Sequence, residues 1–306
     1  MPVLRSKLSS IHEIGMEAMP GKGQEVLLAL TAILAHGHVL IEDVPGMGKT
    51  TLVRFLGQVL GLNLKRVQFT NDLLPADILG VSIYRPETRE FHFRAGPVFT
   101  TLLLADELNR APPKTQSALL QAMEERFVSI EGVNHTLDPL FTVMATQNPR
   151  GMSGTFALPE SQLDRFLLKF AMGLPGRDAE KALLQGSSRK DFIEKLAPLT
   201  TPTEIAIWQN EVQATTATEA VIDYILRLLN ESRQRQDTRA LSPRAGIDIL
   251  RAARAWAWIN NRHYVLPEDI QFIFPSVTGH RLPMQEAGCT VEYNLAREIL
   301  NKVAIV

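Results

Sequence analysis

Val39-Leu40-Ile41-Glu42-Asp43-Val44-Pro45-Gly46-Met47-Gly48-Lys49-Thr50 runs from an apolar stretch into a glycine-containing turn that closes on Gly-Lys-Thr. Thr51 to Leu60 then predicts an amphipathic helix. Strand, loop and helix in that order make a phosphate-binding turn. The loop amides and the first turn of the helix point inward, and the positive end of the helix dipole favours an anion there. Pro45, Gly46, Met47, Gly48, Lys49, Thr50 and Thr51 are the candidate nucleotide contacts. Lys49 is placed to reach the β- and γ-phosphates, and the Thr50 hydroxyl to hold Mg²⁺. The general pattern is G-x-x-x-x-G-K-[ST], and Asp43 stands at its first glycine. Asp tolerates unusual backbone angles, but its charge is unwelcome beside phosphates. The bland alternative is a glycine-rich strand-to-helix turn without a ligand. Three further stretches weigh against it.

Thr101-Leu102-Leu103-Leu104-Ala105-Asp106-Glu107 is a continuous apolar run ending in two carboxylates. Such a run predicts a strand buried on both faces of a parallel sheet, with its carboxyl end at the ligand crevice. There Asp106 would fix Mg²⁺, largely through water, and Glu107 would act as general base on the attacking water. Phe141 to Thr146 predicts another buried strand, followed by Gln147-Asn148-Pro149. An amide at such a strand tip can align a water against the γ-phosphate, although Asn before Pro is also a common turn former. Leu158-Pro159-Glu160-Ser161-Gln162-Leu163-Asp164-Arg165-Phe166 precedes the apolar run Leu167 to Ala171. Taken alone, Arg165 reads as a cation near the end of a short surface helix.

Two β-hairpins are expected. One pairs Leu79 to Tyr84 with Glu90 to Phe93 around a polar tip; the other pairs Phe127 to Ile130 with His135 to Leu137 around residues 131–134. The first sits where a plain βαβ unit carries only a helix. It is either a solvated surface feature or an element that touches a partner. Pro112-Pro113 opens a helix that ends near Glu125-Arg126. The 306 residues suggest two domains, or one with a lid. A net charge of -1 supplies no basic field for nucleic acid, so none is expected as a partner. The single cysteine, Cys289, excludes an intrachain disulfide and fits a reducing compartment. No apolar run reaches the roughly 18 residues of a membrane span, and no signal segment is evident, so a cytoplasmic protein is expected. His36 and His38, flanking Gly37, read as packing or loop residues rather than metal ligands.

The nucleotide loop, Leu-Leu-Leu-Ala-Asp-Glu-Leu-Asn-Arg-Ala-Pro-Pro-Lys at 102–114, Ala-Thr-Gln-Asn-Pro at 145–149 and Leu-Pro-Glu-Ser-Gln-Leu-Asp-Arg-Phe at 158–166 together resemble a MoxR-type AAA+ ATPase of the helix-2-insert branch. The resemblance covers nearly the whole chain from about Ile11. It implies an α/β fold, an αβα core with a five-stranded parallel sheet followed by an all-α lid. The core is expected over residues 1–174 and the lid over 175–306. It implies ATP hydrolysis with Mg²⁺ in a homo-oligomeric ring, a hexamer, with the nucleotide between subunits. By that resemblance Asn148 is sensor 1, Arg165 the arginine finger for the next subunit, and the hairpin near 80–93 the insert that marks this branch. Leu241-Ser242-Pro243-Arg244-Ala245 is similar to a sensor 2 motif, with Ser242 the cap, Pro243 the first helical residue and Arg244 a contact to the nucleotide phosphates. The lid would follow ATP turnover through Arg244. MoxR relatives resemble chaperones that mature or activate other proteins, often with a von Willebrand factor A domain partner, which here would be a separate chain. A DNA-translocating motor, a metal-chelatase motor subunit and a nucleotide-gated scaffold with little turnover are the rival readings. The DNA motor is disfavoured by tip arginines offset by Glu87 and Glu90, and the scaffold by the intact Asp106-Glu107 pair.

Overall fold

A computed structural model describes residues 2–149, 154–184, 189–284 and 289–305. Five parallel strands form the central sheet: β1 (Val39–Glu42), β2 (Leu64–Gln68), β5 (Leu102–Asp106), β8 (Thr142–Gln147) and β9 (Leu168–Phe170). Their order across the sheet is β2-β5-β8-β1-β9. The α/β fold expected from the sequence, an αβα core with a C-terminal helical lid, is therefore the fold observed.

The apolar runs behave as doubly buried strands must, with successive side chains facing opposite layers. Leu102 and Leu104 join one core with Ile41, Met144 and Phe170, beneath α2 (Gly23–Leu34) and α3 (Lys49–Val59). Leu103 and Ala105 join a second core with Leu40, Val143 and Ala145, beneath α5 (Pro113–Glu125). The register sets Glu42 beside Gln147 and Gln68 beside Asp106, so the polar ends of four strands finish level at one edge.

Both hairpins form. The first pairs β3 (Gly80–Arg85) with β4 (Glu90–Ala95), preceded by the one-turn α4 (Pro75–Leu79). The second pairs β6 (Phe127–Ile130) with β7 (Val133–Thr136). Its turn is tighter than the sequence suggests. Glu131 and Gly132 alone form it, both at positive φ, 52° and 81°, the twist that suits a two-residue hairpin loop. Phe93 stacks on His135 at 3.8 Å between centroids, which joins the two hairpins.

Beyond β9 the chain is helical, from α7 (Arg177–Leu184) to α13 (Cys289–Lys302). It includes a short helix, α8 (Arg189–Glu194), whose six residues leave too little periodicity to detect from sequence. Pro267 opens α12 (Pro267–Thr278), which carries Pro275 inside it. Proline there removes one donor, and the turn is retained in a fully packed setting, with Phe274 and Val277 completely buried. In α11 (Pro243–Ile259), Trp258 is buried against Trp208 and Trp256 lies at an edge, stacked on Phe272 at 3.9 Å. That divergence follows from a spacing of two on a helix.

Candidate active site

The turn between β1 and α3 is built on Gly46 and Gly48, at φ 90° and 88°. A side chain at either would be strained by the backbone alone. A Cβ built there would meet nothing within 4 Å, so both glycines border open space. α3 starts directly after Gly48 with no side-chain cap, so its first-turn amides are left without capping acceptors, as a phosphate cradle requires.

Asp43 has no left-handed backbone angle, so glycine is not needed at its position. Its carboxylate turns outward, accepting from the Val44 amide at 2.8 Å and from the Gly173 amide at 2.6 Å. The residue that breaks the motif thus ties the loop to the segment after β9, and its charge is engaged there.

Lys49 Nζ donates to the Asp43 carbonyl, to the Gln147 carbonyl at 3.3 Å and to Asn148 Oδ1 at 3.4 Å. Burial lowers its pKa, while Asp43, Asp106, Glu107 and Glu42 oppose the shift. The ammonium is buried, and its four acidic neighbours favour its charged form, the form that pairs with polyphosphate.

Asp106 ends β5, and both its oxygens are occupied. Thr146 Oγ1 donates to Oδ1 at 2.6 Å; Arg66 Nε and Nη2 donate to Oδ2 at 3.1 and 2.7 Å. The Thr146 hydroxyl also accepts from the Glu107 amide at 2.9 Å, so one side chain of β8 aligns both acids. Glu107 takes a left-handed backbone, φ 57°, which directs its side chain away from the strand line. Its carboxylate pairs with Arg110 Nε at 2.7 Å and accepts from Asn148 Nδ2 at 3.3 Å. Asn148 is buried and spans Lys49 and Glu107 with its two amide atoms, while its carbonyl accepts from Asn109 Nδ2 at 3.2 Å. The Thr50 hydroxyl and the Asp106 carboxylate are hard oxygen donors. Mg²⁺ relies on one or two such groups, keeping waters and phosphates for its other positions, so these residues fit it.

Beneath the loop lies a buried ion triad. Lys169 Nζ reaches Glu42 Oε2 at 3.1 Å and Glu292 Oε1 at 2.5 Å. Burial works against the ammonium, but Glu292 and Glu42 outweigh it and raise its pKa. Glu42 also accepts from Gln147 Nε2. One carboxylate therefore joins the root of the phosphate loop, the tip of β8, and, through Lys169, the lid helix α13.

The structure brings the loop, Asp106, Glu107 and Asn148 together and does not bring Arg165 or Arg244 to them. Those two arginines share Glu124: Arg165 Nη1 pairs with one oxygen, and Arg244 Nη1 donates to the other at 3.0 Å. Burial and the nearby Arg244 cation lower the pKa of Arg165. They line a cavity of about 210 Å³ with His36, His38, Arg126 and Arg251. His36 and His38 precede β1, whereas the phosphate loop follows it, so the arginines lie at the opposite end of the sheet. Ser242 caps α11, accepting from the Ala245 amide at 3.2 Å, and Pro243 is the first helical residue. Arg244, expected at the phosphates, therefore does not reach those of its own chain's loop. His38 is a packing residue: Nδ1 accepts from the Val143 amide at 2.9 Å, which leaves Nε2 to donate to the Met123 carbonyl at 3.2 Å.

A strand-loop-helix phosphate cradle, facing two acids and an amide on adjacent parallel strands, defines a P-loop nucleotide-hydrolysing core. A family model described as "ATPase family associated with various cellular activities (AAA)" matches residues 38–168, and an AAA lid domain model matches residues 233–299. The chain is 43% identical over 309 residues to Uncharacterized protein YeaC of Bacillus subtilis (strain 168), covering 99% of this chain and 95% of that protein. It is 40% identical over 273 residues to Chaperone MoxR1 of Mycobacterium tuberculosis, covering 86% of this chain and 72% of that protein. Among solved structures, a candidate ATPase from Cytophaga hutchinsonii superposes with a TM-score of 0.88 at 34% identity, covering 99% of this chain and 96% of that one. The chain is an AAA+ ATPase, and within that class it belongs to the MoxR family.

Proposed function

We propose that the chain hydrolyses ATP with Mg²⁺ in a head-to-tail ring, a hexamer, in which each site is completed by the next subunit. The supporting observation is the placement of the phosphate loop and the Arg165–Arg244 pair at opposite ends of one sheet. Two complementary surfaces at opposite poles suit a heterologous contact, and such contacts close into rings.

Pro45 to Thr51 hold the phosphates, with Lys49 on the β- and γ-oxygens. Thr50 and Asp106 would hold Mg²⁺, which would supply charge neutralisation at the phosphates. Glu107 takes a proton from the attacking water, which Asn148 orients. Arg165 and Arg244 of one subunit face the γ-phosphate of its neighbour. A finger of this kind contributes about 10³–10⁵ in rate, or ~4–7 kcal/mol. In the lone chain Glu107 is held by Arg110 and Asn148, and Arg165 by Glu124, so the isolated subunit is a resting state.

Residues 1–174 act as the core and 175–306 as the lid. The output is chaperone-like work on partner proteins, by analogy with the relative named Chaperone MoxR1, with a von Willebrand factor A domain protein as the separate partner. ATPase rate per subunit, followed beside mass over a dilution series, should fall as the assembly dissociates. Undiminished turnover by a monomer would remove the trans arrangement.

A further inference from the structure

Arg66 belongs to none of the motifs, yet its guanidinium makes two contacts to the Asp106 carboxylate. It lies on β2, where side chains alternate faces, so Arg66 and Gln68 share one face. The register sets Gln68 beside Asp106, which places Arg66 diagonally across from that carboxylate on the same face. Leu104, on the same side of β5 as Asp106, packs in the core beneath the phosphate-loop helix. The guanidinium therefore stands on the nucleotide side of the sheet. Nε and Nη2 both reach Asp106 Oδ2, at 3.1 and 2.7 Å, and Nη2 also donates to Gln68 Oε1 at 2.9 Å.

A carboxylate offers about four lone-pair directions. Thr146 takes one on Oδ1, and Arg66 takes both on Oδ2. A hydrated divalent cation approaching Asp106 thus meets a carboxylate with most of its accepting capacity in use and a cation already beside it. Gln68 anchors the guanidinium from behind, and about half of the Arg66 side chain is exposed, so it can swing into solvent at modest cost. An arginine buried for structure would have no such exit.

We propose that Arg66 is the counter-ion of Asp106 in the metal-free chain, and that a divalent cation binds Asp106 only in competition with its guanidinium. Arg66 is then a positioning residue for the reaction. It holds the carboxylate aimed while the site is empty, and it sets how much metal binds before nucleotide arrives. The inference rests on the reading of Asp106 as the metal-bearing carboxylate. Even at the dielectric of bulk water, a monovalent and a divalent cation about 6 Å apart repel enough to weaken binding about tenfold.

The test is Mn²⁺ binding to the nucleotide-free full chain, read by electron paramagnetic resonance, for wild type, Arg66→Gln, Arg66→Lys and Asp106→Asn. Arg66→Gln should bind Mn²⁺ at least about tenfold more tightly, and Arg66→Lys should stay within about threefold of wild type, because the charge is kept. Asp106→Asn should lose the site in either background. Equal or weaker binding by Arg66→Gln, with Asp106→Asn still inactive in binding, overturns the competition alone. Undiminished Mn²⁺ binding by Asp106→Asn overturns the assignment of the metal to Asp106 as well. A second readout needs no variant: phenylglyoxal modification of Arg66 in the wild-type chain, mapped by peptide mass spectrometry. It should rise when Mg²⁺ is added and not when K⁺ is added at equal ionic strength. An unchanged rate with Mg²⁺ contradicts the proposal.

Discussion

Replacing Lys169 by Met should destabilise the fold severely, and the carboxylates it leaves behind should account for the loss. The Lys169 side chain is 3% exposed, and its partners Glu42 and Glu292 are 8% and 6% exposed. Met fills nearly the same volume, so packing is kept while the ammonium is lost. Two carboxylates then remain buried with no cation between them. Breaking one buried pair typically costs about 3–5 kcal/mol, chiefly through the charge left uncompensated. With a denaturant slope near ~3 kcal/mol per molar urea for a chain of this size, the midpoint should fall by about 1–1.7 M. The control is the triple variant Lys169→Met, Glu42→Gln, Glu292→Gln, which removes both carboxylate charges and should recover more than half of the loss. Glu292→Gln alone keeps one ammonium on one carboxylate and should cost far less than Lys169→Met. Urea unfolding followed by tryptophan fluorescence measures all four chains. A midpoint for Lys169→Met within about 0.3 M of wild type would refute the reasoning, as would a triple variant no better than the single one.

Two further outcomes follow from the same geometry. Burial, with Arg126 adding to it, pushes the His38 pKa from 6.5 down to about 3, and burial lowers His280 well below 6.5. Both favour the neutral form when folded, so stability falls as pH drops below 6.5; for His38 the loss continues as pH falls toward 3. His38 should add about 1.4 kcal/mol per pH unit to the slope of stability near pH 5, and His38→Gln should remove that increment; an unchanged slope in urea titrations from pH 8 to 5 would rule this out. Gly48→Ala forces a side chain onto φ 88° with no steric neighbour, so it should cost only about 1–2 kcal/mol of stability while abolishing ATP binding by calorimetry.

The core of the site was readable because its chemistry is local. Gly46, Gly48, Lys49 and Thr50 lie within one turn, and Asp106-Glu107 and Asn148 each end an apolar run whose burial fixes where its tip points. The resemblance then supplied roles for Arg165 and Arg244 that the residues alone did not. What stayed hidden depends on pairing between strands. Nothing in the Leu64 to Gln68 run shows that Arg66 lies diagonal to Asp106, because the neighbour of β2 in the sheet is set by tertiary topology. The partner of Asp43 is 130 residues away at Gly173, and that of Lys169 is 123 residues away at Glu292. Arg244 was legible as a capped helix start with an anionic partner, but which subunit's phosphates it faces is a matter of which end of the sheet carries it. Arg66 had one available signal: a charged residue in a strand whose neighbour ends in an acid.

The central claim is that one chain supplies the base and the next supplies the finger. Glu107→Gln and Arg165→Ala, each inactive alone, should be mixed in equal amounts under assembling conditions and assayed for ATP turnover. In randomly mixed rings about a quarter of the interfaces pair an intact Glu107 with an intact neighbouring Arg165, so the mixture should recover up to about a quarter of the wild-type rate. A mixture as inactive as its two components, with mixed rings verified by native mass spectrometry, would contradict the account.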